Sequence, residues 1–221
     1  MKIATWNIDR LKIKKKLNYV VENIKKIDAD IIILTEFNNL VQLPFYKYKF
    51  ETEKLPKEPY NYAETERRVA IFSKFPIKRT FKTYDDLTTC CAEIETNFGN
   101  LIIYGTIVGI IGFSDKNFKS DLEKQIEDIK NIAKLGNFCY VGDLNTSFSD
   151  KYYFTHFARE NFLKCFLEND LENITENLQN NIDNFFINKN FLKNLNFEIS
   201  ELNQDLLLSD HKGICVELNA E

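Results

Sequence analysis

The sequence predicts an α/β protein, and three observations carry that prediction. Apolar runs of strand length recur along the chain and stop at polar residues, as in Asp30-Ile31-Ile32-Ile33-Leu34-Thr35-Glu36 and in Phe138-Cys139-Tyr140-Val141-Gly142-Asp143-Leu144-Asn145. Between such runs, apolar residues fall at helical spacing: Leu17, Val20, Val21, Ile24 and Ile27, then Leu122, Ile126, Ile129 and Ala133. With 221 residues, 44% of them hydrophobic, and only 7 Gly and 4 Pro, the chain fits one large domain over 1–221 without a flexible linker.

Taken in order, residues 2–6 alternate and deliver Asn7 to a loop. The basic run Arg10-Leu11-Lys12-Ile13-Lys14-Lys15-Lys16 opens a helix over 14–27. That run reads either as a solvated helix start or as a phosphate-facing rim beside Asn7. The buried strand 30–36 ends in Glu36. Alternation at Tyr46, Tyr48 and Phe50 predicts one strand, followed by a long loop with Pro56, Pro59, Tyr60 and Tyr62. Those tyrosines suit either packing under the loop or a wall on which bases stack. Strands follow over 68–73, 78–83, 90–95 and 101–108, mostly antiparallel, with a hairpin at Asn97-Phe98-Gly99-Asn100. Ser120 and Glu123 match a capping box for a helix that Gly136 ends. A helix over 150–169 carries Phe154, Phe157, Phe162 and Phe166, and His156 inside it reads as structural or exposed. Strands over 182–187, 197–200 and 213–218 complete the pattern, with Asp210 and His211 just before the last.

Charge narrows the function. The net charge is −4 and the pI about 5.4. A protein that coats nucleic acid by electrostatics alone should be basic. An enzyme whose carboxylates await a divalent cation is compatible with an acidic balance. Five cysteines without ligand-like spacing, two of them (Cys139 and Cys215) within apolar runs, predict buried reduced thiols. Without an apolar segment of spanning length or a leader pattern, the expectation is a cytoplasmic chain with no membrane span and no implied protein partner.

Polar strand ends supply the chemistry: Asn7, Glu36, Asp143 with Asn145, Asp183, and Asp210 with His211. An Asp-His pair alone reads more readily as a capped turn with a partly exposed histidine than as a catalytic pair. In this company it is one of several groups. Oxygen ligands without cysteine favour a hard cation, Mg2+ or Mn2+. A histidine beside an acid can handle protons, and amides can hold phosphate oxygens. Together these suit hydrolysis of a phosphate ester.

Seven short motifs occur in an order that resembles the endonuclease/exonuclease/phosphatase superfamily. They are Thr5-Trp6-Asn7-Ile8, Leu34-Thr35-Glu36, Arg68-Val69-Ala70-Ile71-Phe72-Ser73-Lys74 with Pro76-Ile77, Tyr104-Gly105-Thr106, Gly142-Asp143-Leu144-Asn145, Ile182-Asp183, and Ser209-Asp210-His211. The resemblance implies a four-layered α/β sandwich, two mixed β-sheets face to face with helices outside. It also implies roles. Glu36 is the main ligand of Mg2+ (or Mn2+), assisted by Asn7, with Asp210 near the metal or the leaving group. Asp143 aligns or activates water, Asn145 holds a phosphate oxygen, and His211, oriented by Asp183, contacts the phosphoryl group. Tyr104 matches a phosphate-contacting tyrosine. Apart from the resemblance, the rim reading of the basic run, as opposed to a solvated helix start, makes Arg10, Lys12 and Lys14, with Arg68, a phosphate rim. Thr106-Ile107-Val108 stands where many relatives read Thr-His-Leu, so a second catalytic histidine is missing.

A divalent-metal-dependent nuclease on DNA or RNA is the leading expectation. A phosphatase or phosphodiesterase on a small-molecule or lipid-head-group ester is the alternative, and a non-catalytic binding module is the third.

Overall fold

The computed structural model describes residues 1–56, 62–109 and 116–220. The chain builds two six-stranded sheets. The first contains β1 (Lys2–Asn7), β2 (Ile31–Thr35), β3 (Tyr48–Glu51), β4 (Val69–Ser73), β11 (Leu195–Leu202) and β12 (Gly213–Ala220), in the order β11-β12-β1-β2-β4-β3. The second contains β5 (Ile77–Phe81), β6 (Thr89–Thr96), β7 (Gly99–Ile107), β8 (Phe138–Asp143), β9 (Leu171–Asn173) and β10 (Asp183–Asn188), in the order β5-β6-β7-β8-β10-β9. Helix α1 (Leu17–Ile27) follows β1. Helices α2 (Lys116–Ile132) and α3 (His156–Glu168) flank β8, and a single turn, α4 (Lys189–Leu192), follows β10.

Residue parity explains the layering. Along a strand, alternate side chains point to opposite faces. Ile31 and Ile33 of β2 join Ile103, Cys139 and Val141 in the core between the sheets. Ile32 and Leu34 face the other way and pack with Val20 and Ile24 of α1. Phe138 and Tyr140 of β8 point outward, under Leu122 and Ile129 of α2 and Phe162 and Phe166 of α3. The four layers are thus helix, sheet, sheet, helices. Gly105 lets the sheets close: a Cβ there would lie 3.0 Å from Val69 Cγ1 and 3.1 Å from Ile33 Cγ2.

Several boundaries differ from the expectations. Residues 14–16 are a turn of 3-10 helix, and the α-helix begins at Leu17. Ser120 lies inside α2, not at its start. The third helix starts at His156, where Thr155 accepts a hydrogen bond from Ala158 N at 3.1 Å as its N-cap. Phe154 sits before that helix and meets exposed His156 edge-on, with ring centroids 5.0 Å apart. The strands expected over 68–108 pair antiparallel with one another and with β2 and β3, except that β7 also runs parallel to β8; β4 belongs to the first sheet, so the chain changes sheets before β5. Pro59 and Tyr60 lie outside the described residues. All five cysteines are buried and free. Among the described residues no helix is long and apolar enough to cross a membrane.

Topology gathers the polar tips. β1 and β2 are parallel, with Asn7 opposite Thr35, so Asn7 and Glu36 leave the first sheet at the same end. β12 is antiparallel to β1, with Ile214 opposite Thr5, which brings the preceding Asp210 and His211 to that end. In the second sheet β8 and β10 are antiparallel, with Asp143 directly opposite Asp183.

Candidate active site

Gly142 is required just before Asp143. Its φ is +139°, and a Cβ would lie 2.1 Å from the Thr106 carbonyl oxygen of the neighbouring strand. The tight approach ends β8 with Asp143 on the inner face, buried between the sheets. Asn7 Nδ2 donates to Asp143 Oδ2 at 3.0 Å, joining the two sheets through side chains. The other oxygen, Oδ1, accepts from the backbone N–H of Asn145 at 3.0 Å.

His211 completes the cluster. Its Nδ1 lies 2.7 Å from Asp183 Oδ2 and its Nε2 lies 3.9 Å from Asp143 Oδ2. Burial opposes the charged imidazolium. The carboxylates of Asp183 and Asp143 outweigh it and push His211 up to about 10. At neutral pH the ring is therefore charged, donating Nδ1–H to Asp183 and aiming Nε2–H toward Asp143. Burial likewise raises Asp143, to about 7, while the His211 cation pulls the other way. Asp183 Oδ1 is buried with no hydrogen-bond partner among the described residues. Two carboxylates facing each other with one oxygen unsatisfied is expensive in a fold interior, and such arrangements concentrate at reactive sites.

The loop bearing His211 is fixed by residues the sequence did not mark with a role. Ser209 Oγ donates to Asn7 O at 2.6 Å and accepts from His211 N at 3.1 Å. The His211 carbonyl accepts from Asn203 Nδ2 at 2.7 Å and from Trp6 Nε1 at 3.2 Å. Ser209 and Trp6 belong to the quoted motifs, so position was the available signal. Asn203 carried none.

Asn145 adopts a left-handed φ of 47° and turns its Nδ2 to Val108 O at 2.7 Å. Its second amide hydrogen has no partner among the described residues. Asp210 is exposed on the same cleft, of about 510 Å3, that Asn145, Asp183 and His211 line.

Glu36 also has a left-handed φ, 44°, and its carboxylate lies 3.3 Å from Arg10 Nε. Among the described residues Arg10 Nε has no hydrogen-bond partner, so its contact with Glu36 is an ion pair. The 8–10 turn is tied to β2 by Ile8 N to Thr35 O at 3.1 Å and Arg10 N to Glu36 O at 2.8 Å. Asn7 Oδ1 accepts from Asp9 N at 2.9 Å and retains a lone pair. Among the described residues no three His, Cys, Asp or Glu side chains are arranged as a metal cage. One carboxylate and one amide oxygen nevertheless fit Mg2+, which keeps most of its waters and takes one or two carboxylates plus substrate phosphate.

Three of the rim residues have partners within the protein. Arg10 is occupied by Glu36 and, at 3.9 Å, by Glu66. Arg68 is buried, donates to the Tyr62 hydroxyl and stacks 4.7 Å from its ring. Lys12 is paired with Asp9. Lys14 is exposed on the 3-10 turn.

Tyr104 is misplaced by the motif reading. It lies on the outer face of the second sheet, fully buried, and donates its hydroxyl to Asp128 Oδ2 at 2.9 Å. Asp143 points into the opposite face, so this tyrosine cannot reach a phosphate held there.

Comparison with known proteins agrees with this architecture. Among solved structures, a Neisseria 3′ phosphatase, NExo, bound to a product DNA hairpin is 15% identical, with a TM-score of 0.74 over 99% of each chain. An endonuclease/exonuclease/phosphatase from Beutenbergia cavernae is 14% identical, with a TM-score of 0.72 over 100% of this chain and 71% of that one. The endonuclease domain of TRAS1, a telomere-specific non-LTR retrotransposon, is 15% identical, with a TM-score of 0.69 over 100% and 99%. At such identities the likeness shows the fold. No curated protein matches the chain. The family model for endonucleases, exonucleases and phosphatases, however, matches residues 4–211, and the chain belongs to the Endonuclease/Exonuclease/phosphatase family.

Proposed function

We propose that this protein is a divalent-metal-dependent phosphodiester hydrolase acting on nucleic acid. The observation that carries the reading is the buried Asn7–Asp143–His211–Asp183 cluster, closed by contacts of 3.0, 3.9 and 2.7 Å at the mouth of an open cleft.

Each residue has a task that its surroundings favour. Asp143, raised by burial and oriented by Asn7 and the Asn145 N–H, accepts the proton of the attacking water. The water oxygen bonds to phosphorus as the bond to the leaving oxygen breaks. The His211 imidazolium, braced by Asp183, donates Nε2–H to the phosphoryl oxygens as their charge builds. Asn145 adds an amide donor. Glu36 and Asn7 would hold Mg2+ or Mn2+, which supplies charge neutralisation at the phosphate. Two of the similar structures are described by their DNA chemistry, a 3′ phosphatase with a DNA hairpin and a retrotransposon endonuclease, which favours nucleic acid over a lipid head group.

The test is a substrate panel with purified protein, with and without Mg2+ or Mn2+: single-stranded, double-stranded and abasic DNA, RNA, and small phosphate monoesters. Metal-dependent cleavage of a nucleic acid is expected. Phosphate release from small esters alone would replace the nuclease reading, and inertness toward all of them would favour a binding module.

A further inference from the structure

One wall of the cleft has no part in the chemistry above. It is formed by Tyr152, Tyr153, Asn180 and Leu206, beside the floor of Asp183 and His211. Tyr152 is 55% exposed and Leu206 45% exposed, which sets apolar surface beside the charged groups of the cleft. The Tyr152 and Tyr153 rings lie 6.4 Å apart, tilted by 45°, so they offer an angled aromatic wall.

The wall is held rigidly. The carboxylate of Asp150 accepts from Tyr152 N at 2.9 Å and from Asn180 N at 2.7 Å, fastening two loops together. Ser147 N donates to Tyr153 O at 2.5 Å, and Arg159 clamps Ser147 O through Nε at 3.0 Å. Exposed aromatics fixed before any ligand arrives lose little entropy on binding.

We infer that this wall receives an unpaired base next to the reacting phosphate, so that the substrate is single-stranded nucleic acid. The inference rests on the phosphodiesterase reading and deepens it. A cleft of about 510 Å3 has room for one nucleotide beside the reacting phosphate. Inside a duplex both faces of a base are covered, so an aromatic wall gains contact only with a base already out of the stack. The charge balance points the same way. At a net charge of −4, with Lys212 held by Glu201 at 3.0 Å, blanket attraction to phosphates is weak and stacking has to supply affinity. Asn180, exposed on the same wall, adds an amide able to meet a base edge.

The experiment compares kcat/KM on a single-stranded oligonucleotide with that on an otherwise identical strand carrying tetrahydrofuran abasic residues. Tyr152→Ala should lower that ratio about tenfold, the size of one lost base stack, and Tyr152→Trp should preserve it. A ratio unmoved by Tyr152→Ala, or an intact duplex cut as fast as the single strand, overturns the inference. A second readout needs no turnover: a 2-aminopurine-labelled single strand in EDTA should be quenched by the wild-type protein and not by Tyr152→Ala. If that quench occurs while no nucleic acid is cut, the hydrolase reading fails and the base-binding wall stands. If the wild-type protein does not quench, the wall fails whatever the activity.

Discussion

Two buried polar clusters lie on opposite faces of the second sheet, and they differ in how completely they are satisfied. On the outer face, Thr106 Oγ1 and the Tyr140 hydroxyl donate to Gln125 Oε1 at 2.7 and 2.5 Å. Gly109 N donates to Asp121 Oδ2 at 2.8 Å, and Tyr104 donates to Asp128. Donors meet acceptors, and α2 is thereby locked to β7 and β8. On the inner face, Asp143 and Asp183 oppose each other in register, with one histidine between them and Asp183 Oδ1 unsatisfied. A closed network stabilises a fold. An open one, with like charges side by side and a cleft above it, is the kind of arrangement that concentrates at reactive sites.

The sharpest way to break this comparison is through His211. Replacing it by Ala should lower kcat by about 10²–10⁴-fold while circular dichroism stays native-like, as expected of a proton-handling group. Near-normal turnover would move the chemistry elsewhere. Gln125→Ala, on the outer face, should do the reverse. It strands two buried hydroxyls and opens a cavity, so unfolding should show a loss of about 2–4 kcal/mol with kcat near normal. Tyr104→Phe should be milder still, about 1 kcal/mol in chemical denaturation, since Asp128 keeps the Tyr84 N–H at 2.8 Å, and activity should change less than about twofold. A large activity loss there would restore the phosphate role that burial denies it.

The same inner-face cluster can be tested through pH. His211 is raised from 6.5 to about 10 in the folded protein, so its stabilising contribution is full below pH 6.5 and is lost as pH climbs through 10. Asp143, raised to about 7, imposes a cost that grows from pH 3.8 to 7 and is constant above it. Between pH 7 and 10 the wild-type stability advantage over His211→Gln should therefore shrink, as followed by urea unfolding at each pH. An advantage that grows over that range would reverse the sign of the coupling.

The strands and their polar tips were legible because buried strands need apolar runs, while the layering was legible only through the family resemblance of the motifs. Asn7, Asp143, Asp183 and His211 were legible because each stands at a strand end. Tyr104 failed for a physical reason: a motif gives proximity along the chain, and only the parity of β7 against the core tells which face the ring takes. For Arg10 and Lys12 of the lysine-arginine rim, the sequence did not show their protein partners. Cations next to Asp9, Glu36 and Glu66 in space find those partners first, and nothing in the local sequence announces Glu66. Asn203 and the Tyr152–Tyr153 wall lie in loops whose pairing depends on distant residues, which leaves no periodic signal to read.

The most direct test of the central claim is Asp143→Asn measured beside the wild-type protein on one labelled single-stranded oligonucleotide with saturating Mg2+. The variant keeps the shape and removes the base. Single-turnover cleavage slowed by at least about 100-fold, with thermal stability equal or higher because a buried charge is gone, is the predicted result. Cleavage within a few-fold of wild type would contradict it.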